Sequence, residues 1–110
     1  MQDEPDEAAL EGCGLAKPTL SISSPTASRA DTTVDFHISL DCKPARNPTV
    51  LLAPVRDGEL GNNIYAALTK DQPTATVTIT TGTENQLALA LVWSTGLANK
   101  KAQGNVAYTD

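Results

Sequence analysis

The segment Thr33 to Cys42, "TVDFHISLDC", constrains the fold more than any other part of the chain. Val34, Phe36, Ile38, Leu40 and Cys42 share one parity, and Thr33, Asp35, His37, Ser39 and Asp41 share the other. Successive strand side chains point to opposite faces, so this alternation describes a strand with one face on a core and one in water. A helix would scatter the same residues around its whole circumference.

Similar short runs recur along the 110 residues, separated by turn chemistry from seven Gly and seven Pro. Seven strands are expected. They are "KPTLSISSP", "TTVDFHISLDC", "PTVLLAPVR", "NIYAALTK", "TATVTIT", "QLALALVWS" and "NVAYT". Pro54 argues that the third is an edge strand or bulged. "NIYAALTK" also has a helical alternative, because Ala and Leu favour helix. "RDGE" reads as a two-residue hairpin turn. In the sixth strand Leu87, Leu89, Leu91 and Trp93 share the inward parity. A long loop, "TGLANKKAQG", is expected before the last strand.

Seven short strands with turns every eight to twelve residues predict an all-β chain, a single antiparallel two-sheet sandwich. The strand pattern resembles the immunoglobulin and fibronectin type III architecture. That resemblance covers the strand layout only. The Cys–Trp–Cys spacing of immunoglobulin domains is absent, since Trp93 follows both cysteines.

The net charge of −5 is local. Asp3, Glu4, Asp6, Glu7 and Glu11 lie in the first eleven residues with no base among them, and the remaining eight acids balance eight Lys and Arg. The expected organisation is a disordered acidic tail over residues 1–14 and a β-sandwich over 15–110. A neutral body has no basic stripe for nucleic acid. No run reaches the roughly 18 apolar residues of a membrane span. Residues ahead of "LEGC" are acidic where a lipoprotein signal is apolar, and Met1 fits an initiator placed before a mature N-terminus.

Cys13 precedes the first strand and Cys42 ends the second. If those strands pair antiparallel the cysteines meet, and a Cys13–Cys42 disulfide is expected. Such a bond implies an extracellular, periplasmic or virion-surface setting.

Catalytic constellations are not evident. His37 is the single histidine, and its neighbours Asp35 and Ser39 stand beside it on one strand face. They do not converge as a nucleophile, base and orienter must. No metal and no cofactor is expected. Asp31, Asp35 and Asp41, and the turn with Asp57, Glu59, Asn62 and Asn63, lack calcium-loop spacing.

Threonines 74, 76, 78 and 80 form a ladder on the wet face of the fifth strand, where β-branched side chains are favoured. Ala88, Ala90 and Val92 give the sixth strand an apolar outer parity, which marks it as covered or as an interface. Lys100 and Lys101 stand in the long loop. These five residues are the candidate interaction surface. The expected function is a non-catalytic binding or accessory domain acting by surface contact on a protein partner or assembly surface. The settings considered are a cell surface and a virion decoration protein, with self-association included. The rivals are a carbohydrate or small-ligand carrier, which exposure of Trp93 would favour, and a protease inhibitor presenting "KPARNP" or "TGLANKKAQG".

Overall fold

The structure is a computed structural model that describes residues 10–110. Most of the acidic tail, residues 1–9, therefore lies outside the described residues. Ten strand segments are present among the described residues: β1 (Leu20–Ile22), β2 (Thr26–Ala27), β3 (Thr33–Leu40), β4 (Thr49–Arg56), β5 (Glu59–Leu60), β6 (Ile64–Tyr65), β7 (Thr74–Thr80), β8 (Leu87–Thr95), β9 (Gln103–Asn105) and β10 (Ala107–Tyr108). There is no helix among the described residues.

The first sheet has the order β1-β3-β7, and the second β5-β4-β8-β9 with β6 also on β4. All pairs within these two sheets are antiparallel, and a short parallel pair joins β2 to β10. The expected all-β sandwich is therefore what the chain forms. Its core is aliphatic around one aromatic ring: Phe36, Ile38, Leu52 and Leu89 are fully buried, with Val50 and Leu87 beside them. Val34, Phe36, Ile38 and Leu40 face inward as their alternation requires.

The first expected strand keeps only Leu20–Ile22, and a strand that was not expected, β2, follows it. Ser23, Ser24 and Pro25 carry the chain from β1 in the first sheet to β2, which pairs with β10. Tertiary bonds hold the crossing: the Ser23 hydroxyl accepts the His37 N–H at 2.8 Å, and the Pro25 carbonyl accepts the Ala107 N–H at 2.9 Å.

"NIYAALTK" keeps only Ile64 and Tyr65 as strand. Leu68 then leaves the sheet to enter the core, and the Thr69 hydroxyl accepts the Asp71 and Gln72 N–H groups in the turn that follows. A chain crossing between sheets cannot continue a ladder.

Pro54 is buried in β4, which is a central strand, with β8 on one side and β5 and β6 on the other. Its carbonyl accepts the Gly61 N–H at 2.8 Å at the break between β5 and β6. A residue's N and C=O point to the same side of a strand, so the missing Pro54 donor falls where the neighbouring ladder is already interrupted.

The expected long loop ends in a strand, β9, that pairs Ala88, Leu89 and Ala90 with Asn105, Gly104 and Gln103. Upstream, Asn99 imitates a strand on the free edge of β1. Its side-chain oxygen accepts the Leu20 N–H at 2.9 Å, and its amino group donates to the Leu20 carbonyl at 3.0 Å.

The Cys13–Cys42 disulfide is formed, with the Cα atoms 5.1 Å apart. β1 does run antiparallel to β3, pairing Leu20 with Leu40. The approach to Cys13 has its own support. Cys13 N–H donates to the Lys43 carbonyl and Lys43 N–H to that of Glu11, after which Gly14, at φ 65°, turns the chain back.

Candidate functional site

Side chains directly opposite one another across a sheet share a face. On the second sheet the inner parity of β4 holds Val50, Leu52 and Pro54, all buried. The outer parity holds Thr49, Leu51, Ala53 and Val55. Four rows cross this outer face. Thr49 stands opposite Thr95, and Leu51 lies between Tyr65 and Trp93. Ala53 precedes Ala90 and Gln103, and Val55 lies between Leu60 and Ala88, with Asn105 beyond.

Trp93 corrects the inward expectation. Its side chain is 54% exposed and Tyr65 is 73% exposed. The cause is a register shift: Leu51 faces Trp93 but Leu52 faces Leu91, so Val92 is an extra residue on β8. A bulge of this kind resets the alternation. Leu87, Leu89 and Leu91 stay inside, and Trp93 turns out. In sequence the sign of this slip is that Val92 and Trp93 are consecutive large residues, followed by Ser94 and Thr95.

Of the five candidate surface residues, Ala88 is buried on the outer face, Ala90 is half-buried and Val92 is exposed. Lys101 borders a shallow depression with Ala90 and Gln103, while Lys100 is exposed in the approach to β9. Tyr65, Leu51 and the β9 amides are additions that the sequence did not mark.

A second depression, which shares Gln103 with the first, lies at the end of the face away from the aromatic row. Val55 and Ala88 form its apolar part, and Asn85, Gln86, Gln103 and Asn105 bring four amides to it. The Gln103 amino group donates to the Asn105 side-chain oxygen at 2.8 Å.

Several charged groups elsewhere hold backbone or neighbouring side chains. At one end of the sandwich Arg56 bonds the Glu84 carboxylate and donates to the Thr80 carbonyl at 2.8 Å. Gly82 N–H donates to the second Glu84 oxygen at 2.7 Å. Burial pushes the Glu84 carboxyl up, but the Arg56 hydrogen bond, the Gly82 N–H and the Arg56 charge together hold it below the ordinary range. Asp57, at φ 50° in its hairpin turn, accepts the N–H groups of Asn85 and Gln86, both at 2.9 Å. Asp35 accepts the Thr78 hydroxyl at 2.6 Å, and Asp41 accepts the Thr19 N–H at 2.8 Å. Among the described residues no group of three or more His, Cys, Asp or Glu is arranged to hold a metal ion.

His37 is opposite Thr76, and its Nδ1 lies 3.2 Å from that hydroxyl. The threonine ladder thus meets Thr33, Asp35, His37 and Ser39 of β3 one for one. It belongs to the wet face of the first sheet. The sixth strand, weighed as a neighbour of the ladder, lies in the other sheet.

No family model matches the chain, and no curated protein matches it in sequence. The chain is similar in structure to the CARDB domain of a Pyrococcus furiosus protein, solved in complex with di-metal ions. The TM-score is 0.52 at 12% identity, over 84% of this chain and 94% of that one. At that identity the likeness shows a shared fold, a β-sandwich.

Proposed function

We propose that this protein is a non-catalytic binding module that acts by surface contact outside the reducing cytosol, at a cell surface or on a virus particle. The outer face of the second sheet is its contact surface. The observation that carries this reading is the row Tyr65, Leu51 and Trp93, which puts two large aromatic side chains into water from one strand register. Ala53, Ala88 and Ala90 continue the row as a low apolar floor. Rigid aromatic residues are favoured as contact anchors because they offer large area at low entropic cost.

The setting is supported by the Cys13–Cys42 bond. The absence of a reaction is supported by the side chains that might carry one. His37 has a threonine partner, and Glu84, Asp57, Asp35 and Asp41 hold backbone or neighbouring groups.

The test is binding of the labelled domain to the surface fraction of the organism or particle that encodes it. Saturable binding that is lost in Tyr65→Ala/Trp93→Ala and kept in Thr76→Ala/Thr78→Ala is expected. Loss in the threonine variant instead would move the contact surface to the first sheet.

A further inference from the structure

We infer that the ligand of this face is a neutral, extended polysaccharide, with sugar rings stacked on Tyr65 and Trp93 and a further sugar hydrogen-bonded by the amides around Val55 and Ala88. The inference rests on the reading that this face is the contact surface.

Three properties of the face select that ligand. The first is spacing. Tyr65 and Trp93 lie two strands apart in one row, about 10 Å from strand to strand. Only Leu51 stands between them. This is the span of alternate rings, one sugar apart, in an extended glycan rather than of one compact molecule. The C–H face of a sugar carries slight positive charge and packs on the negative face of an aromatic ring.

The second is charge. The four rows of this face contain no ionisable side chain except the Tyr65 phenol; at the rim stand Lys101 and Asp57, whose carboxylate is taken up by the Asn85 and Gln86 N–H groups. An acidic or basic ligand would find no counter-charge there. A neutral one needs no counter-charge, and the desolvation of its hydroxyls is offset by hydrogen bonds to the amides.

The third is the arrangement of polar groups. Val55 is four residues from Leu51, so the amide-bearing depression lies about 13 Å from the aromatic row along the strands. Asn85, Gln86, Gln103 and Asn105 each carry both a donor and an acceptor, as sugar hydroxyls do. Thr49 and Thr95 border the row on its other side. Apolar platforms with a few placed amides and hydroxyls bind polar neutral ligands in fixed orientation.

Affinity electrophoresis of the intact chain through gels containing laminarin, hydroxyethyl cellulose, xylan or galactomannan tests the inference. Retardation by at least one of these is expected. It should weaken about tenfold or more in Trp93→Ala, the loss of one stacking contact. Trp93→Phe, which keeps a ring, should retain most of it, and Gln103→Ala should weaken it less than Trp93→Ala. Thr78→Ala on the opposite sheet should leave it unchanged. Trp93 is exposed, so these variants should fold, and circular dichroism verifies that they do. Failure of all four polysaccharides to retard the wild type overturns the inference, as does equal retardation of Trp93→Ala. If Trp93→Ala instead abolishes a dimer in sedimentation, or saturable binding to a surface protein, the glycan is wrong and the contact surface stands. If none of these depends on Trp93, both readings fall.

Discussion

Gly104 of β9 lies against Ser23 so closely that a β-carbon at 104 would come within 1.9 Å of the Ser23 carbonyl oxygen. The Ile22 side chain would be 2.8 Å away. Here the edges of the two sheets touch, and the contact is with backbone, which cannot turn aside. Gly104→Ala is expected to destabilise by about 3 kcal/mol, at the upper end of overpacking costs. Urea denaturation measures it, and a change below about 0.5 kcal/mol would show that β9 does not approach β1 this closely.

Asn99 holds both backbone groups of Leu20, so Asn99→Ala leaves a donor and an acceptor without their partner at a half-buried edge. A loss of about 1–3 kcal/mol follows. Hydrogen exchange gives the more specific reading: the Leu20 amide should exchange faster in the variant, while Val34 and Ile79 in the centre of the first sheet should slow or quicken only with global stability.

Glu84 contributes stability that depends on pH. Its folded carboxyl ionises below the ordinary range, so its contribution is complete above the unfolded value of about 4.3 and is lost as pH falls through the folded value. Wild-type stability should therefore drop below about pH 4.3 more steeply than that of Glu84→Gln. Equal slopes would mean that Arg56 does not stabilise the ionised form. Arg56→Ala leaves a buried carboxylate with its Gly82 bond alone, at a cost of about 2 kcal/mol at neutral pH.

The disulfide closes a separation of 29 residues. Its removal in Cys13→Ser/Cys42→Ser should cost about 3.5 kcal/mol in the chain-entropy account. Native protein kept from reductant should show no thiol to a blocking reagent; a full thiol titre would remove the bond and the argument for an oxidising compartment with it.

Trp93 and Leu89 differ by four residues on one strand and should differ sharply in mutation. Leu89 is fully buried, and Leu89→Ala should cost about 2–5 kcal/mol. Trp93→Ala should change stability by less than about 1 kcal/mol, as surface positions do. Its fluorescence should be red-shifted and open to acrylamide. An emission characteristic of an apolar interior would place Trp93 inside and remove the bulge.

Where the residues of one strand decide its state, the sequence was readable. Thr33 to Leu40 and Thr74 to Thr80 are strands because their alternation suits one wet and one dry face, and both facts are local. The short element β9 was hidden because Gly104 disfavours a strand, yet only glycine fits against Ser23. "NIYAALTK" stopped early because Leu68 was needed between the sheets. Neither demand is visible from neighbouring residues.

The candidate site divides in the same way. The apolar outer parity of Ala88, Ala90 and Val92 is written in the sequence, because parity follows from the two-residue period of any strand. That period determined the class of fold, the side of each sheet that meets the core and the parity of the threonine ladder. The outward turn of Trp93 depended on where β8 slips against β4. Its meeting with Tyr65 depended on β4 lying between two strands distant in the chain. Strand order and register are set by packing among residues far apart in sequence, so only the tertiary structure decided that two aromatic side chains stand in one row on the surface.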